Sequence, residues 1–110
     1  MYEVIEKENV KIENMIYEIN GIQVMLDSDL ANLYEVETKR INEAVKNNPD
    51  KFPLKYSWFL NNDEWNFLRS KISTLEKKQT GRGRYRKYLP RVFTEPGIYM
   101  LSRYLEEKWQ

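Results

Sequence analysis

The spacing of apolar side chains divides this chain into short strands and short helices. From Met15 to Leu26 the run MIYEI-NG-IQVML is centred on Asn20-Gly21, the pair preferred in two-residue type I′ turns, with β-type residues on both sides. A hairpin with that turn sets Ile19 opposite Ile22, Tyr17 opposite Val24 and Met15 opposite Leu26, placing three apolar pairs on one face. After Leu26 the period becomes helical. Asp27 or Ser28 is placed to cap a short helix carrying Leu30, Leu33 and Tyr34. Beyond Glu35-Val36-Glu37, Thr38 is a second candidate cap, and Ile41, Ala44 and Val45 repeat the spacing up to Asn47-Asn48-Pro49, where proline disfavours further helix.

Tyr56, Trp58 and Leu60 alternate as in a strand, although Phe59 breaks the polar face. Asn61 with Glu64 three residues later is a variant of the capping box, followed by Trp65, Leu68, Ile72 and Leu75 at helical spacing. Thr94 is placed to cap a last helix bearing Ile98, Leu101 and Leu105; Pro96 and Gly97 fall in its first turn, where a missing N–H costs little. The predicted fold is α+β: a small single domain with an N-terminal β-hairpin, a short helix-turn-helix-like helix pair and further amphipathic helices. It covers residues 14–107, with residues 1–13 as a charged N-terminal flank.

Composition narrows the function. The chain of 110 residues has no cysteine and no histidine, which removes disulfides, Ser-His and Cys-His nucleophilic sites and the commonest zinc ligands. An enzymatic reading must therefore lean on carboxylates, lysine or tyrosine, and no cofactor is expected. Asp27 and Asp29, with Glu95 or Asp63, could in principle hold a hard cation for phosphodiester hydrolysis. Each of these carboxylates, however, falls near a predicted helix start, where a negative charge is favourable without any metal, so no metal site is expected. No apolar run approaches the ~20 residues that span a bilayer, and the charged N-terminus lacks a signal-peptide core. A cytoplasmic protein with no membrane partner is expected. The chain stops at Lys108-Trp109-Gln110, directly after the last predicted helix, which suggests a longer natural protein.

The net charge of +1 conceals an asymmetry. Residues 1–37 hold two lysines and nine acids, whereas residues 38–110 hold sixteen basic side chains and eight acids. If Ile41, Ala44 and Val45 point inward, the second helix of the pair exposes Lys39, Arg40, Asn42, Glu43, Lys46 and Asn47. Arginine forks onto guanine, asparagine pairs bidentately with adenine, and lysine meets phosphate. The segment KKQTGRGRYRKYLPR, residues 77–91, has seven basic side chains and no acid, a density suited to a phosphate backbone. Arg82, Arg84, Arg86, Lys87 and Arg91 are its candidate phosphate contacts, with Arg40 and Asn42 the candidates for reading bases.

Three stretches, IYEINGIQVMLDSDLANLYEVETKRINEAVKNNPDKFP, FLNNDEWNFLRSKI and RKYLPRVFTEPGIYMLS, together resemble the phage and bacterial KilA-N-type DNA-binding domain. The resemblance is to its open-reading-frame-six N-terminal variant and covers roughly residues 14 to 103. It implies a small α+β domain that binds double-stranded DNA without catalysis, in phage, prophage and mobile-element proteins that include antirepressors, often joined to a C-terminal effector region. On the matching positions, Thr38, Lys39, Arg40, Asn42, Lys46 and Asn47 belong to the DNA-facing helix. The chain departs from the family pattern at Pro96, where glutamine is usual, and at Asn47, where a basic residue is more frequent. The alternative function is a protein-interaction module, an antirepressor that captures a repressor protein with little DNA contact. Homo-oligomerisation is left open, and so is the DNA target sequence.

Overall fold

Asn20 and Gly21 both stand in the left-handed region, at φ 53° and 81°, as successive positions of a type I′ turn require and as asparagine and glycine tolerate best. The turn joins β1 (Tyr17–Ile19) to β2 (Ile22–Leu26), with Ile19 opposite Ile22 and Tyr17 opposite Val24 as the alternation predicts. The expected third pair does not form. Met15 ends a 3₁₀ turn over Ile12–Met15, and Leu26 pairs instead with Val92. Ile22, at the turn, is exposed.

The computed structural model of the protein describes residues 12–75 and 89–108. After the hairpin come α1 (Asp27–Tyr34), α2 (Thr38–Lys46), β3 (Ser57–Phe59), α3 (Asn62–Leu75), β4 (Arg91–Phe93) and α4 (Glu95–Lys108). The strands form one antiparallel sheet in the order β1-β2-β4-β3. The pattern of the sequence does not predict β4: three residues headed by an arginine, at the end of a basic run, are too few for alternation to register. Yet β4 is a central strand, pairing through Phe93 and Val92 with Met25 and Leu26 on one side and with Ser57 and Trp58 on the other.

Successive strand residues face opposite sides of a sheet, so the central strands feed two cores. Val24, Leu26 and Val92 join Ile19, Leu60, Trp65 and Leu68 beneath α3. Met25 and Phe93 join side chains of α1, α2 and α4, among them Leu30, Ile41, Ala44, Leu101 and Leu105. Phe93 is wholly buried and meets Phe52 edge to face, with ring centroids 6.2 Å apart. The α+β expectation therefore holds, with helices on both faces of the sheet.

Helix ends differ in detail from the prediction. The residue preceding α1 is Leu26 and that preceding α2 is Glu37, both extended and neither supplying a side-chain cap; Asp27 and Thr38 are the first helical residues. Between the two helices Glu35 takes the left-handed conformation at φ 61°, its N–H and that of Val36 donating to the carbonyls of Asn32 and Ala31. This closure ends α1 and lets α2 start after two more residues. The Asn48 side chain donates to the Ala44 carbonyl at 2.8 Å, and α2 ends before Pro49 as expected.

The capping box of α3 is reciprocal as predicted: the Glu64 N–H donates to Asn61 Oδ1 at 2.8 Å and the Asn61 N–H to Glu64 Oε1 at 3.0 Å. The Leu75 side chain lies outside those described. Thr94 does precede α4, but its hydroxyl donates to the carbonyls of Lys55 and Tyr56 at 3.1 and 3.3 Å, tying the helix start to the approach to β3. Gly97 packs so closely there that a Cβ would overlap the Tyr56 carbonyl oxygen.

Candidate nucleic-acid interface

The candidate interface is built on α2. Ile41, Ala44 and Val45 are buried against the sheet and α4, so the 3.6-residue period turns Lys39, Arg40, Glu43 and Lys46 to solvent. Asn47, just past the helix end, is exposed; Thr38 and Asn42 are half-buried. No acid stands in the first turn of α2, and Lys46 stands in its last. Three cations and one carboxylate thus decorate the outward face.

Beside this face runs an open groove of about 850 Å³, bounded by Thr38, Lys39, Glu43 and Lys46 on the α2 side and by Phe59 and Leu89 on the sheet side. Asp27, Asn42 and Arg91 also line it. These three form a closed circuit. Asp27, only 2 % exposed, accepts at Oδ2 from Asn42 Nδ2 (2.9 Å) and from the backbone N–H of Arg91 (3.2 Å), and at Oδ1 from the Ser28 N–H (2.7 Å). Arg91 Nε donates back to Asn42 Oδ1 at 2.8 Å, while Nη1 reaches Ser57 Oγ at 3.1 Å. The Ser57 hydroxyl itself donates to the Val92 carbonyl at 2.9 Å. The guanidinium lies 4.2 Å above the Phe59 ring, a cation–π contact at the sheet edge. Burial pushes the pKa of Arg91 down and the charge of Asp27 opposes that shift.

The family model for the ORF6N domain matches residues 14–104. The chain belongs to the ORF6N domain family. This is a phage-associated domain. Neither the curated proteins nor the solved structures yield a match.

Of the site residues expected from sequence, the ORF6N domain brings Thr38, Lys39, Arg40, Asn42, Lys46 and Asn47 together along α2 and its end. Asn42 differs from the expectation of a residue with its amide open to bases. It donates to Asp27 and, at 3.3 Å, to the Thr38 carbonyl, and it accepts from Arg91, so a bidentate contact with adenine would have to displace these bonds. Arg91 heads strand β4, with its guanidinium turned toward Asn42 and Ser57. Arg82, Arg84, Arg86 and Lys87 lie outside the described residues.

Sequence reasoning missed the part played by Asp27, read as a cap, and by Ser57, which is buried although the alternation puts it on the polar face; Phe59, on that same face, is exposed. The available signal was a small polar residue flanked by aromatics in YSWF, a position that suits a buried hydroxyl. The carboxylates considered for a cation do not gather: among the described residues no group of three or more candidate ligands could hold a metal ion. Nor is any helix among them long and apolar enough to cross a membrane.

Proposed function

We propose that this ORF6N domain is a non-enzymatic binding module for double-stranded DNA, acting inside a bacterial cell or phage-infected host, with the outward face of α2 in the major groove. The observation that carries this is the division of α2: its apolar stripe is buried, while Lys39, Arg40 and Lys46 stand exposed on the second helix of a pair held by a tight left-handed turn. A major groove admits a helix presented in this way, and long basic side chains reach both base edges and phosphates from it. Arg40 is assigned to base edges; Lys39 and Lys46 are assigned to phosphates. The basic side chains of residues 77–87 add backbone charge on composition alone. Kinship with the wider KilA-N group of DNA-binding domains is part of the same proposal.

The test is the anisotropy of fluorescent mixed-sequence duplexes titrated with the domain at about 50 and about 200 mM salt, where each neutralised phosphate adds ~0.9 to the slope of log affinity against log salt. The expected result is binding with a slope of several phosphates. No binding at the lower salt would overturn the proposal in favour of repressor capture. If binding is found, Arg40→Ala should cost ~1 to 3 kcal/mol on a selected site and relax its sequence preference.

A further inference from the structure

The circuit of Asp27, Asn42 and Arg91 joins the start of α1, the middle of α2 and strand β4, and through Ser57 it reaches β3. It closes on itself. Asp27 Oδ2 accepts from Asn42, Asn42 Oδ1 accepts from Arg91 Nε, and the backbone N–H of Arg91 returns to Asp27 Oδ2. Hydrophobic packing of Ile41, Ala44 and Val45 on the buried side of α2 sets which face turns inward, but it is non-directional. Hydrogen bonds to Asn42 are directional, and they act on the flank of α2 that borders the groove.

We propose that this circuit fixes the rotation and depth of α2, and that Arg91 is therefore a positioning residue for sequence readout rather than a phosphate contact. The inference rests on the DNA-binding proposal above. Base-edge hydrogen bonds tolerate only small displacements of the helix that carries them, whereas phosphate contacts by exposed lysines tolerate large ones. Loosening α2 therefore costs discrimination between sequences and leaves the number of phosphates met unchanged.

Lysine at position 91 keeps the positive charge but loses the fork that serves Asn42 and Ser57 together. The experiment is to select a preferred duplex from a random pool with the unaltered domain, then measure affinity for that duplex and a scrambled one across salt concentration with Arg91→Lys, Arg91→Ala and Ser57→Ala. For Arg91→Lys the ratio of the two affinities should fall roughly tenfold, the value of one lost base contact, at an unchanged salt slope. Ser57→Ala, which releases the Nη1 end of Arg91 together with the hydroxyl's bond to the Val92 carbonyl but leaves Nε on Asn42, should lower the ratio less and carries the test if Arg91→Lys does not fold. Independently of DNA, the Arg91 Nε–H, which donates to Asn42 Oδ1, should exchange slowly in the unaltered domain, and Arg91→Lys should shift the Asn42 side-chain amide resonances.

An unchanged ratio in Arg91→Lys overturns the inference while leaving DNA binding intact. An Arg91→Ala variant that weakens both duplexes alike and lowers the slope by ~0.9 does the same, because it identifies a phosphate contact. Absence of duplex binding by the unaltered domain overturns the DNA-binding proposal itself and the inference with it.

Discussion

Gly97 is a residue whose replacement has a sharply defined consequence. An alanine Cβ there would overlap the carbonyl oxygen of Tyr56 and stand 3.0 Å from its carbonyl carbon, in a place where the obstacle is backbone and cannot rotate away. Gly97→Ala should destabilise the domain by about 1–3 kcal/mol or more, as overpacking does elsewhere, and urea denaturation would measure it. Glu35 tests the opposite case. It holds φ 61° without being glycine, so Glu35→Gly should relieve backbone strain. Because glycine also gains freedom in the unfolded chain, the net gain should not exceed about 1 kcal/mol. Both positions show the limit of reading single residues: Gly97 was legible as part of a helix start, but its close approach to Tyr56 depends on a strand assembled from another part of the chain.

Among the elements, those whose signals are local were legible. The Asn20-Gly21 turn, with two of its three expected apolar cross-strand pairs, and the Asn61/Glu64 box form, because each is decided within a few residues. Glu64→Ala should lower stability by about 1 kcal/mol, the usual worth of a cap, and calorimetry or chemical denaturation would register it. The buried stripe of α2 was equally plain, since Ile41, Ala44 and Val45 carry it without help from elsewhere. Strand β4 was not legible. Its three residues acquire their conformation from neighbours on both sides, and the same charge that makes Arg91 resemble a loop residue is accommodated by Asp27, Asn42 and Ser57, which only the folded chain brings near. For the same reason Asn42 looked like an open reader of bases, although folding supplies partners for its amide.

At the scale of the whole molecule, two cores share one sheet, and β2 and β4 contribute to both. Phe93 sits where the sheet meets the larger core, wholly buried. Phe93→Ala should cost about 3–5 kcal/mol, a large share of the stability of a domain this small, and a thermal melt should show cooperative loss of the whole fold. That the chain would make an α+β domain could be foreseen from its elements. Which strands occupy the middle of the sheet could not, because β2 and β4 are distant in sequence and their pairing leaves no periodic trace.

The position of β4 also bears on how the protein is made. Met25 and Leu26 leave the ribosome early, but their partners Phe93 and Val92 emerge only after the helix pair, β3 and α3 have been synthesised. The centre of the sheet is therefore a late, long-range closure, of the kind that slows folding. Until then the side of β2 that receives β4 has no ladder, and α1 and α2 lack the strand to which Asp27 and Asn42 attach. Pulse-labelled hydrogen exchange should accordingly find the β1–β2 amides protected before those of β4, and a chain stalled on the ribosome ahead of Arg91 should carry its helix pair undocked.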